Sequence, residues 1–503
     1  MTSISLCMIV KNEEKHLERC LTSVRDVVDE IVIVDTGSDD KTLEIADSFN
    51  ANIHHFKWNN DFSSARNFAL SKCQSDWILY LDADEELNSN SVNELITIIN
   101  GKLAAVNCVV KSLTSNDAKF GVMKYPRLFP NDPRIKFEGK VHEQIQTSLN
   151  NNNIPLVDSG IEIIHYGYIL DEDSANKKLE RNLALLQSNK KNNPYDKLKL
   201  AQTLHSLKRY DEAEVNFSSV INDRATEVKI KSIALLHYSI LLFEKNDLKK
   251  SLEVVVKGLN MNAKSSYLNF LASIIHLRNN DKQKAFEYLL TALVSNLNLL
   301  NKKEISESEI ISDQIDLYFR TINLAVILGE KEKLSRLIKE FSCFVKNEST
   351  SDIQILEQNL LSSVNATELS DEQLNQIISI VSESSLTSFV ELIKTFKNDE
   401  AKNRILILLN EKFSNSLIIK KNLAGIYLTT NPAEAEKLLL ECNKIEEDST
   451  VYINLISLYI GKKDYDKVRS TFMQLQSRFS DKPIIKQKID ILSQKLNPIL
   501  TAN

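Results

Sequence analysis

The chain has 503 residues, 43% apolar and 26% charged, with a net charge of −6. That is room for about three domains with their own cores, and it excludes wholesale disorder. A weakly acidic chain without a basic block excludes nucleic acid as the expected partner, and six cysteines without short spacing exclude a thiolate zinc site or disulfide framework and place the chain in a reducing cytoplasm.

In chain order, Ile4–Val10 is a short apolar strand, far below the roughly 20 residues of a membrane span. It lacks a basic leader and ends at Lys11-Asn12-Glu13-Glu14, so it does not read as a signal peptide, and no integral membrane span is expected. Leu17, Leu21, Val24 and Val28 give helical spacing over 13–28, and Ile31–Val34 is a second buried strand closed by Thr36-Gly37-Ser38. A helix over 41–49, a strand Ile53–Phe56, a helix over 62–72 and a strand Trp77–Leu81 follow. This alternation predicts a mostly parallel sheet between helices, with ligands beyond the carboxyl ends of its strands. Those ends carry Asn12, Asp35, Asn59 and Asp82-Ala83-Asp84. Further on, a strand at 106–110, an irregular segment at 125–141, an asparagine loop at 150–153 and an apolar stretch at 161–168 are expected.

Composition then shifts. Six of ten glycines and both tryptophans lie in residues 1–167. Residues 1–170 hold 16 Lys+Arg against 24 Asp+Glu, and the remainder 46 against 44. From about 172 helices dominate. The small residues Ala213, Ser251 and Ala285 follow similar turns at spacings of 38 and 34, with Ala201, Ser239 and Ser273 before them and Phe217, Val255 and Leu289 after. The period resembles the tetratricopeptide repeat, and Ala435 and Val468 repeat it near the end. Residues 300–420 fit the pattern poorly. The division expected is a sheet domain over 1–170, a helical linker over 171–195, repeats over 196–300, and further helical repeats over 301–503.

Chemistry concentrates at Asp82-Ala83-Asp84-Glu85-Glu86. Two carboxylates past a buried strand suit a hard divalent cation that keeps positions open for phosphate. The alternative is that Asp84 caps a helix over 85–99. Asp35 before a glycine turn could accept hydrogen bonds from a nucleoside, while Ser38, Asp39 or Asp40 opens the next helix.

Together, Ser5–Glu14, Val34–Thr42, Trp58-Asn59-Asn60-Asp61-Phe62-Ser63-Ser64-Ala65-Arg66-Asn67 and Asp82-Ala83-Asp84 resemble, in order, four motifs of glycosyltransferase family 2. The resemblance covers about residues 1–170. It implies an A-type glycosyltransferase fold, a nucleotide-sugar donor (UDP above all), and Mn²⁺ or Mg²⁺. It implies that Val10, Asn12 and Asp35 hold the nucleoside, that Asp61 and Arg66 surround nucleotide and diphosphate, and that Asp84 binds the metal with Asp82 touching ribose or metal. Arg127-Leu128-Phe129 and Phe137–Gln144 resemble the acceptor side of soluble members; inverting transfer needs a base there, Glu143 first and Glu138 second. His165 resembles the late histidine ligand of A-type enzymes. The fusion to repeats resembles bacterial hexosyltransferases that modify proteins or peptides, of flagellin or bacteriocin type. It implies a protein or peptide acceptor on the repeats, which also offer a surface for homo-oligomerisation. The rival readings are a peripheral enzyme acting on a lipid-linked or surface glycan, and a repeat scaffold without catalysis.

Overall fold

A computed structural model of the chain describes residues 2–101, 103–113, 119–141, 143–166, 172–188, 193–301, 308–345, 358, 370–481 and 483–500. It divides into two compact units, Met1–Leu317 and Tyr318–Asn503.

The first unit is built on one nine-stranded sheet. Its parallel half is β1 (Ile4–Val10), β2 (Glu30–Asp35), β3 (Asn52–His55) and β4 (Trp77–Tyr80). Every residue of β1 except Ile9 is buried, as a strand covered on both faces requires. The intervening helices are α1 (Leu17–Val24), α2 (Thr42–Ser48) and α3 (Phe62–Leu70). Leu17, Cys20, Leu21 and Val24 recur at helical spacing and are fully buried on the sheet.

The sheet is mixed rather than mostly parallel. The segment expected to be irregular, 125–141, instead begins inside a long strand, β7 (Lys119–Pro130). That strand runs antiparallel to β4 on one side and to β6 (Ala105–Leu113) on the other. The helix expected over 85–99 is corrected too. Glu85–Leu87 is a short strand, β5, antiparallel to β8 (Leu156–His165), and only Val92–Ile99 (α4) is helical. Part of the asparagine loop is helical as well, within α5 (Gln146–Asn151). The end of the apolar stretch, Gly167 and Tyr168, lies outside the described residues. The sheet gains a strand from far along the chain: β9 (Ser308–Ser312) pairs with Lys119–Met123 of β7.

After α6 (Glu172–Ser188) the helices pair: α7 (Pro194–Ser206) with α8 (Tyr210–Asn222), α9 (Val228–Glu244) with α10 (Leu248–Met261), α11 (Ser266–Arg278) with α12 (Lys282–Leu300). The same turn joins each pair. Lys208, Asn246 and Asn280 adopt φ of 59°, 62° and 59°. The next amide returns five residues to the carbonyls of Leu204, Leu242 and His276, satisfying a helix end as a Schellman motif does. Asp247 and Asp281 then cap the following helix through Lys250 N and Lys284 N. The small residues predicted at the helix contacts, Ala213, Ser251 and Ala285, are all fully buried.

The second unit is helical throughout its described residues. Lys463 (φ 57°) and Asp464 repeat the same turn and cap before Tyr465–Phe479. Gly329 (φ 72°) repeats the turn, through Glu330 N to Ala325 O, between Gln314–Leu328 and Lys331–Val345, in a region whose sequence fits the repeat poorly.

Candidate active site

Three loops at the carboxyl ends of β1, β2 and β4 form the site. Val10 pairs in register with Asp35, and the Val10 carbonyl accepts both the amide and the hydroxyl of Thr36 at 3.0 Å. Gly37 takes φ of 110°, and this turn lets the buried Asp35 carboxylate accept the amides of Gly37 (3.2 Å) and Ser38 (2.9 Å). Asn12 (φ 58°) crosses between the loops: its side chain accepts Asp39 N at 2.9 Å, and its amide donates to the Ser38 hydroxyl at 3.0 Å. The predicted nucleoside residues Val10, Asn12 and Asp35 therefore share one rim. Asp61 instead caps α3 through Ser64 N at 3.1 Å.

Helix α3 organises the segment expected on the acceptor side. Ser63 donates its hydroxyl to the Gly139 carbonyl at 2.5 Å, and Phe62 N donates to Lys140 O at 2.9 Å. Asn67 exchanges two hydrogen bonds with the Phe137 backbone (2.8 and 2.9 Å). Arg66, one residue earlier, is buried and ion-paired with Glu143, and its Nη2 donates to Asp82 at 2.9 Å. The consecutive Arg-Asn pair thus carries the charge with one residue and fixes the loop with the next. Glu138 is exposed, and its backbone bridges Gln144. His142 lies outside the described residues.

A second arginine completes the cluster. Arg127 falls where β7 slips against β6, between the pairs Val106–Leu128 and Asn107–Pro126. Bulges of this kind re-aim a side chain near active sites. Arg127 Nη2 lies 2.5 Å from Glu85 Oε1 and 3.6 Å from Asp82 Oδ2. Arg66 and Arg127 each stack on the Tyr80 ring, 4.5 and 4.3 Å from its centroid. Two of their donor atoms, Arg66 Nη1 and Arg127 Nε, are buried without a hydrogen-bond partner. Such atoms are costly unless a ligand supplies the acceptor.

The carboxylates separate by environment. Burial opposes charge on Asp82, but Arg66 and Arg127 outweigh it and hold its carboxyl well below the usual range. Burial also opposes charge on Asp84, and the hydrogen bond from His165 prevails and lowers it. Glu85 is pushed up to about 7 by burial, against the pull of Arg127. Glu13 also rises to about 7, by burial and then by repulsion from Asp84.

His165 closes β8 opposite Glu85, with Nε2 3.3 Å from Asp84 Oδ2 and Nδ1 3.2 Å from the Ser112 hydroxyl. A divalent cation fits this donor set. A carboxylate oxygen and an imidazole nitrogen meet at one point, and the second ring nitrogen is held from behind, as metal-binding histidines usually are. Asp82 is engaged with the arginines instead. Among the described residues, no group of three His, Cys, Asp or Glu side chains converges as a metal cage. Phosphate and water would complete the coordination.

Residues 5–152 match the family model "Glycosyl transferase family 2". A TPR repeat-containing protein of Synechococcus elongatus is 41% identical over 152 residues, 30% of this chain and 37% of that protein. The SPbeta prophage-derived glycosyltransferase SunS of Bacillus subtilis is 29% identical over 230 residues, 44% of this chain and 54% of that protein. The chain thus spans about a third to a half of the length of these curated relatives. Among solved structures, a tetratricopeptide repeat protein from Parabacteroides merdae covers 59% of this chain and 98% of its own, at 12% identity and a TM-score of 0.40. Residues 5–152 thus resemble glycosyltransferase family 2, and paired helices follow them in the chain.

Sequence reasoning missed Arg127, Glu85, Tyr80 and Glu13 as members of the site. A signal for Arg127 was present, since it opens the Arg127-Leu128-Phe129 motif.

Proposed function

We propose that the protein transfers a sugar, with inversion, from a nucleotide donor (UDP above all) to a protein or peptide acceptor held beside the repeats. The observation that carries this is the buried pair of guanidiniums with unsatisfied donors beside Asp82, set between the Asp35 rim and the Asp84–His165 pair. A diphosphate presents the acceptors these atoms lack. The matched family model and the relative named as a glycosyltransferase support the same chemistry.

Asp35 and Asn12 line the nucleoside end, and Arg66 and Arg127 face the diphosphate. Asp84 and His165 would hold a Mg²⁺ or Mn²⁺ ion, which would supply positive charge beside the departing nucleoside diphosphate. The acceptor oxygen attacks the anomeric carbon, the bond to the diphosphate breaks with its electron pair, and the acceptor proton passes to Glu143. Glu143 must release Arg66 to take that proton, and the freed guanidinium then serves the leaving group. Stabilisation that grows as the bond breaks favours the transition state over the bound donor.

Calorimetry with uridine diphosphate tests the donor site. Affinity is expected to be higher with Mn²⁺ or Mg²⁺ than with chelator, and Asp84→Asn should abolish the difference. Equal affinity with and without metal would reject the cation site.

A further inference from the structure

The sheet of the first unit stops at β3, which among the described residues has β2 as its only strand partner. The Phe56 amide donates to the Asp35 carbonyl of β2 at 2.8 Å. Backbone groups alternate in direction along a strand, so the amides of Asn52 and His54 also address β2. The open side then offers two donors, the amides of Ile53 and His55, and three acceptors, the carbonyls of Ala51, Ile53 and His55. The Ala51 amide is not among them, because it closes the end of α2 on Ala46 O at 3.2 Å. A groove of about 490 Å³ runs beside this edge, lined by residues 51–54 on one wall and by Ser71, Lys72 and Gln74 on the other. Proteins usually blunt such edges with proline, a bulge or charge. The four residues of β3 hold no proline and no Asp, Glu, Lys or Arg, and their register with β2 is unbroken. Lys72, at the rim, lies 4.8 Å over the Phe68 ring of its own helix.

We propose that this edge pairs with β3 of a second copy of the chain, antiparallel and centred on Ile53, so that two sheets join across a two-fold axis. The pattern of donors and acceptors selects this partner. With Ile53 opposite its own copy, the two residues exchange amide and carbonyl, and each His55 amide reaches an Ala51 carbonyl across the axis. Two donors on each of two edges are then all used, and only the His55 carbonyls lack a donor. A longer strand from an unrelated polypeptide gains nothing over this, since the edge has no amide to offer at Ala51. The side chains are self-complementary too. Ile53, half-buried on the α2 side of the sheet, meets its copy in an apolar centre. Asn52 stands opposite His54 on the other face, twice. Asn52 Nδ2 already donates to Glu30 Oε1 at 3.3 Å, which leaves its carbonyl oxygen to accept from the imidazole. So short a pairing makes a weak dimer that depends on concentration. It adjoins the Asp35 rim, since His55 Nδ1 lies 3.4 Å from Asp35 Oδ2, but it is independent of what that rim binds.

Sedimentation velocity of the full chain over about 1–100 μM tests the pairing. The weight-average mass should rise from one chain toward two. His55→Pro deletes an outward donor and leaves the ladder to β2 intact, as a proline on the free side of an edge strand does. It should hold the chain at one mass over the same range. Cysteines read the register, in a Cys343→Ser background because Cys343 is exposed. Facing residues of a hydrogen-bonded antiparallel pair have Cα atoms about 5.5 Å apart, within disulfide reach, so Ile53→Cys should cross-link to its copy under oxidised glutathione. Asn52 is displaced from its own copy by two residues, roughly 7 Å along the strand, so Asn52→Cys should not. The wild-type mass and the cysteine pair stand even if His55→Pro unfolds. A single chain mass for wild type throughout the range overturns the proposal. So does a dimer that persists in folded His55→Pro, or one in which Ile53→Cys cross-links no faster than Asn52→Cys.

Discussion

At the scale of single residues, Arg66 and Arg127 set the order of the site. Each meets a buried carboxylate, and they share Asp82 and the Tyr80 ring between them. Removing one partner of such a pair leaves the other charge stranded, at a cost of about 3–5 kcal/mol. Arg127→Met should therefore lower the denaturation midpoint sharply. Adding Glu85→Gln should restore part of the loss, because the stranded carboxylate is gone. Additive effects of the two changes would show that Arg127 and Glu85 are not coupled. Glu143→Gln tests the proton acceptor: uridine diphosphate should still bind, while transfer to a hydroxyl acceptor falls by roughly 10²-fold or more. An unchanged transfer rate would move the base elsewhere. His237 governs a pH response. Burial pushes its folded pKa down to about 3, below the ordinary 6.5, so the unfolded chain takes the proton first. Stability is present above 6.5 and lost as pH falls toward 3, by at most about 2 kcal/mol at pH 5 before allowance for its partial exposure. His237→Gln should show a smaller fall in melting temperature between pH 7 and pH 5; an equal fall would assign the response to other groups.

At the scale of elements, the parallel half was legible because its strands are apolar runs and its loops carry the motifs. The rest was not, for three separate reasons. Glu85–Leu87 has no strand signature of its own, being acidic and three residues long; its pairing with β8 makes it a strand. Pro126 in β7 argued against a strand, and the structure meets that objection with the register slip that also turns Arg127 into the site. β9 is only a short apolar pair, Ile310-Ile311, whose partner lies far back in the chain. The motif residues could be named from the sequence, but the Arg127–Glu85 pair depends on that slip and could not be read from spacing. The β9 pairing changes what a short truncation should do. A chain ending near residue 193 leaves Lys119–Met123 an unpaired sheet edge, and such edges invite aggregation. It should be less soluble than a chain ending at residue 317, by light scattering. Equal behaviour would mean that β9 adds nothing to the edge.

At the scale of the whole molecule, the first compact unit already contains the Asp35 rim, the Asp84–His165 pair and Glu143. A chain ending at residue 317 should therefore bind uridine diphosphate within a few-fold of the full chain. A loss beyond about tenfold would assign a share of that site to residues 318–503. No helix of the described residues is long and apolar enough to cross a membrane.

The pairing of β9 with β7 also dictates an order of events during synthesis. Phe120 waits for Ile311, about 190 residues later, before its strand has a neighbour on that side. At translation rates of about 5–20 residues per second, that interval is about 10–40 s. Throughout it the nascent sheet keeps one open edge, while the three helix pairs between α7 and α12 are being made. Closing so long a loop is entropically slow unless those helices have already folded and shortened the path. The repeats therefore act first as a folding scaffold for the sheet, and the sheet reaches its final form only after the third pair has left the ribosome.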